Sequence, residues 1–161
     1  MNKTERVLAV LKGQKPDRPP VSFWHHFDPK QKCGEASVEA HLKLFSQYDL
    51  DFLKVMNDQE FPRGGLKIVD SARDLMQLEE LTGDESSFGD QLEVLRLLRR
   101  HLGDEALMTT TVFNPWTVLR RLTAPEIGKH APPVLELVNN PQDLKLSALL
   151  REDRLAVAEA L

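Results

Sequence analysis

Cysteine is almost absent. Cys33 stands alone among 161 residues, so no internal disulfide can form, and single-thiol usage fits a reducing compartment. The thiol sits in a polar "QKCGE" loop with no organised partner and reads as incidental. No apolar run approaches the roughly 20 residues of a membrane span, and the N-terminus is charged and amphipathic rather than a signal peptide. No membrane partner is expected, and a cytoplasmic location is. There is no low-complexity tract and no internal repeat. A basic stretch is missing as well: net charge is −4 and the Lys and Arg residues are scattered, which argues against a nucleic-acid groove. The one local cluster, Arg96, Arg99, Arg100 and His101, lies on a helix that also carries Glu93 and Asp104. It reads as a solvated face.

What remains is ordinary globular material, 41% hydrophobic and 29% charged, long enough for one domain with a core. "NKTERVLAVLKG" predicts a short helix, with Val7, Leu8 and Leu11 at helical spacing, Asn2 or Thr4 as cap and Gly13 as stop. "QKPDRPP" is a rigid connector, because its prolines forbid helix continuation. "VSFW" is a strand candidate that runs into His25 and His26. Residues 35–47 predict a helix with Val38, Leu42 and Phe45 on one stripe and His41 at the boundary of that stripe.

"DFLKVM", 51–56, is the next strand. After the fragment "LKIV", 71–81 look helical, and a longer helix follows at about 88–102 with Leu92, Leu95, Leu98 and Leu102 as core stripe and Gly103 as stop. "ALMTTTVF", 106–113, reads as a third strand. "NPWTVLRRL" reads as a helix with Asn114 as cap and Pro115 at the first helical position. From about 132 the pattern is helical but interrupted by Pro132, Pro133 and Pro141.

Strands that alternate with helices predict βαβ units and a parallel sheet. Each strand ends in polar or special residues: His25–His26, Asn57–Asp58 and Asn114–Pro115. Ligands of parallel α/β folds bind at such strand ends. The closing "REDRLAVAEAL" is a good helix pattern with no stop signal, and helices of this class normally return to a strand. The expectation is therefore the first part of a longer protein.

In order and pattern, "TERVLAVLKGQKPDRPPVSFW", "YDLDFLKVMND" and "ALMTTTVFNPWTVLRRL" resemble the N-terminal part of the uroporphyrinogen decarboxylase superfamily. The resemblance covers most of residues 4–122. It implies an α/β fold of the (β/α)8 TIM-barrel family, of which residues 1–161 would supply the N-terminal helix and about three βα units. It implies a carboxy-lyase-like enzyme for a tetrapyrrole or related small molecule. The decarboxylase motif after strand one carries two arginines that neutralise substrate carboxylates. Here "PPVSFWHHFDP" has His25 and His26 near the first, and neither arginine is present; a mostly neutral imidazole does not replace a guanidinium.

Asp58 matches the family's strand-two aspartate, which accepts hydrogen bonds from pyrrole N–H groups and stabilises positive charge on the ring. The competing reading is that Asp58 caps the next turn with Asn57. Strand parity gives an independent line. Leu53 and Val55 point to the helices, and Phe52, Lys54, Met56 and Asp58 to the opposite face. On the first strand, Val21, Phe23 and His25 share one side, and Ser22, Trp24 and His26 the other. A two-histidine metal site is therefore not expected.

Parity favours His26 as the site histidine and alignment favours His25. The expected site is thus Asp58 and His26 as catalytic residues, with His25, Asn57 and Asn114 binding substrate and no metal. No cofactor is expected in this segment; for the alternative, corrinoid-linked methyl transfer, zinc would fall to the missing second half. A corrinoid protein and a second copy of the chain are candidate partners. A further alternative is a non-catalytic small-molecule binding or partner protein.

Overall fold

The computed structural model describes residues 1–66, 68–83, 85–123 and 141–160. They fall into two units: residues 1–60 with 83–111, and residues 61–82 with 112–161.

In the first unit, helix α1 (Lys3–Leu11) starts where Asn2 accepts from the Glu5 N–H and the Glu5 carboxylate accepts from the Asn2 N–H, a reciprocal capping box. It stops at Gly13, whose φ of +68° lets Gly13 N–H reach the Val10 carbonyl and Gln14 N–H the Ala9 carbonyl. The buried face is not the one formed by Val7, Leu8 and Leu11. Arg6 and Ala9 are buried, whereas Leu11 is 73% exposed.

Arg6 turns inward because carboxylates await it: Nε lies 2.7 Å from Asp17 Oδ1 and Nη1 lies 2.6 Å from Asp51 Oδ1. Asp51 also accepts from Arg18 and from the Val21 N–H. The connector "QKPDRPP" is thus tied to the residue that opens strand β1 (Phe52–Val55).

Helix α2 (Gly34–Gln47) and helix α3 (Ser86–Leu102) pack over one face of a two-stranded parallel sheet of β1 and strand β2 (Leu107–Thr110). Register pairs Phe52 with Leu107 and Val55 with Thr110. Leu53 and Val55 are fully buried among Val38, Phe45, Val94 and Leu98. Each such side chain contributes roughly 1.5–3 kcal/mol by leaving water. Of the leucine stripe on α3, Leu98 and Leu102 are buried and Leu95 packs partly buried against the core, whereas Leu92 is exposed and Gln91 and Val94 are buried in the first half of the helix. Gly103, at φ +51°, ends it as expected, and Arg96, Arg99, Arg100 and His101 are exposed.

The second unit packs helix α4 (Pro115–Thr123) on helix α5 (Pro141–Glu152), with helix α6 (Arg154–Ala160) against a 3-10 turn, Ala72–Gln77. Its core gathers Leu75, Leu119, Leu146, Leu149 and Val157. The helix predicted over 71–81 is confined to this turn. Ser71 and Asp74 start it with a capping box, but Glu79 N–H bonds the Gly64 carbonyl at 2.7 Å and draws the chain out of helical register.

The barrel expectation does not hold. The described residues contain two short strands rather than three, in a helix-dominated architecture with one βαβ crossover. The predicted strand "VSFW" is irregular. Pro19 and Pro20 lack N–H donors, the Val21 N–H is taken by the Asp51 side chain, and the single main-chain bond here, Asp51 N–H to the Val21 carbonyl, does not propagate into a ladder. Residues 124–140, which include Pro132 and Pro133, lie outside the described residues. Among those described, no helix is long and apolar enough to cross a membrane.

Candidate functional site

Although 21–27 is no strand, its side chains still alternate. Phe23 meets Tyr48, and His25 meets Phe27. On the other side Trp24 meets His26 edge-on at 5.4 Å, and Lys54 Nζ lies 4.6 Å from the centre of the Trp24 ring. Lys54 lies on the face of β1 turned away from the buried Leu53 and Val55, and Asp58 follows three residues beyond the end of the strand. His26 and Asp58 meet beyond the end of β1, each on an irregular segment.

His26 Nδ1–H donates to Asp58 Oδ1 at 2.5 Å, with the imidazole 68% exposed and the carboxylate side chain 9% exposed. A carboxylate on Nδ1 fixes that nitrogen as the donor and leaves Nε2 pointing away, available to take or give a proton. Asp58 does not cap the following turn. Asn57 does that, its Oδ1 accepting from the Gln59 N–H at 3.2 Å, while Gln59 Nε2 donates to the Lys32 carbonyl and ties this loop to the entry of α2.

His25 is exposed, and its Nδ1–H donates to the His26 carbonyl at 2.9 Å. It lines a groove of about 410 Å³ with Phe23, Phe27, Lys43 and Tyr48; neither His26 nor Asp58 lines it. The two histidines therefore face different surroundings. Asn114 belongs to the second unit, where its Oδ1 accepts from the Thr117 N–H at 2.8 Å and caps α4. No group of three or more His, Cys, Asp or Glu side chains gathers around one point among the described residues.

His41, read as a boundary residue, is 1% exposed. Its Nδ1–H donates to the Ser37 carbonyl at 2.7 Å, and its Nε2 accepts from the Met56 N–H at 3.1 Å. Acceptance at Nε2 requires the neutral ring. Burial pushes its pKa down from the usual 6.5 against the opposing pull of the Ser37 carbonyl and Asp58. Trp24 and Lys54, also beside the pair, were visible in the sequence through parity alone. His41 had a signal too, since position 41 shares a helical face with Val38 and Phe45.

No known family, curated protein or solved structure matches the chain.

Proposed function

We propose that this chain carries the charge-stabilising part of an enzyme similar to uroporphyrinogen decarboxylases, acting on a tetrapyrrole or a related nitrogen heterocycle. The observation that supports this reading is the His26–Asp58 contact, in the loop that follows β1. A mostly buried carboxylate beside an exposed imidazole offers a fixed negative charge to an N–H-bearing ring that becomes cationic during reaction. Fixed charge needs no reorganisation at the moment of reaction, which makes such groups large contributors to rate. His26 Nε2 supplies the proton-transfer position, and Trp24 gives a flat apolar wall against which a heteroaromatic ring can rest. The proposal rests on the site and the sequence pattern, not on a barrel.

The test is Trp24 fluorescence in a Trp116→Phe background, titrated with a uroporphyrin-class tetrapyrrole. Residues 1–161 by themselves are not expected to turn over a porphyrinogen, so binding is the readout. Saturable quenching is expected, with Asp58→Asn weakening it by about tenfold, as loss of a charge-assisted contact does. Absence of saturable binding would overturn the proposal.

A further inference from the structure

His41 touches both segments that carry the pair. Through Nε2 it accepts from the Met56 N–H, two residues before Asp58. Its ring lies 4.6 Å from that of Phe27, the neighbour of His26. The other groups at the exit of β1 are also held by side chains: Thr110 Oγ1 donates to the Val55 carbonyl at 3.0 Å, and Gln91 Nε2 reaches the Met56 carbonyl at 3.4 Å. In a sheet of two strands among the described residues, side chains from α2, α3 and β2 hold this backbone.

We infer that His41 is a positioning residue for the His26–Asp58 pair, holding the exit of β1 and the Phe27 segment in one register so that the two side chains meet. The inference rests on the pair reading of the site. Its chemistry is specific: only an acceptor at the reach of Nε2 satisfies the Met56 N–H, which is otherwise left in a half-buried place without a partner. A shift of under an ångström at this point is enough to break a short hydrogen bond, whose strength falls steeply with misalignment.

The experiment reads the His26 tautomer by nitrogen-15 NMR of the imidazole at mildly alkaline pH. In the wild type the Nδ1–H form is favoured, and Asp58→Asn reduces that preference by about tenfold, the effect of one charge-assisted hydrogen bond. His41→Asn retains a donor for the Ser37 carbonyl but cannot reach Met56. It is expected to give the same loss as Asp58→Asn, and His41→Gln, whose amide oxygen extends to the Nε2 position, to restore at least half of it. An undiminished Nδ1–H preference in His41→Asn would overturn the positioning role and leave the pair intact. No change on Asp58→Asn would overturn the pair itself, and the positioning role with it. Hydrogen exchange on the wild type gives a variant-free check. Met56 N–H should exchange about tenfold or more slowly than Asn57 N–H, and equal rates would overturn the clamp.

Discussion

Arg6 Nη1 lies 2.6 Å from Asp51 Oδ1, with 9% of the arginine side chain and none of the aspartate side chain exposed. Three donors converge on that carboxylate: Arg6, Arg18 and the Val21 N–H. Burial raises the Asp51 pKa, but these hydrogen bonds outweigh it and hold the carboxyl below its ordinary range. The network fastens α1, the proline connector and the start of β1 to one another.

Removal of the Asp51 charge leaves Arg6 buried with only part of its compensation. Asp51→Asn is expected to cost about 3 kcal/mol, the scale for breaking a buried pair from one side. The urea midpoint of Asp51→Asn against wild type measures it. A loss within ~0.5 kcal/mol, the range of neutral surface changes, would show that the network does not hold the unit together.

Acid should weaken the fold in two stages. The folded-state pKa of His41 lies below its unfolded value of 6.5, so the unfolded chain takes up that proton first. This contribution to stability is complete above about pH 6.5 and is lost as pH falls from there toward the folded value. Asp17, held down by the Arg6 guanidinium, and Asp51 act likewise from 3.8 downward. Urea midpoints across the pH range should show both declines, and His41→Gln should abolish the upper one only. A single decline beginning near pH 4 in the wild type would refute the role given to His41.

The adjacent histidines should separate in function. His26→Ala is expected to weaken tetrapyrrole binding by about tenfold, as loss of a charge-assisted contact does. His25→Ala, which removes a ring from Phe27 and a bond to a neighbouring carbonyl, should act mainly on the melting temperature. Trp24 fluorescence titrations of the two variants decide the ranking, and the reverse order would return the site to the groove that His25 lines.

Two glycines make opposite predictions. Gly64 has φ +50°, and a Cβ there would come 2.8 Å from the Glu79 carbonyl oxygen, so Gly64→Ala should destabilise the second unit by about 1–3 kcal/mol. Gly89 lies inside α3, and a methyl group added there would meet nothing within 4 Å, so Gly89→Ala should stabilise by about 0.5–1 kcal/mol. Thermal melts of both variants check the signs.

What was legible in the sequence is what short-range chemistry decides. Asn2, Gly13, Gly103 and Asn114 mark helix ends because caps act on backbone groups a few residues away. Strand parity had no strand to act on at the pair: 21–27 and 56–58 are both irregular, and His26 and Asp58 meet as residues of two loops. Faces were harder. The inward turn of Arg6 depends on Asp17 and Asp51, and no spacing within α1 announces a buried guanidinium. His41 looked peripheral because its partner, the Met56 N–H, comes from another element. The strand predicted at 21–24 failed on a neighbour's chemistry, since the carboxylate of Asp51 took the amide that a ladder would have used. The barrel reading required a strand at 21–24 beside β1 and β2, and the chain is irregular there.

The parallel register of β1 and β2 also sets a pace for folding. Val55 and Thr110 are joined by a hydrogen bond across 55 positions of chain, whereas α2 and α3 each form from contacts within a turn or two. Closing so long a segment carries its entropy penalty before the sheet returns anything. The helices of the first unit should therefore organise early, and the strand pair should be the slow step. The surface that carries Asp58 is then completed only when β2 arrives to support the exit of its neighbour.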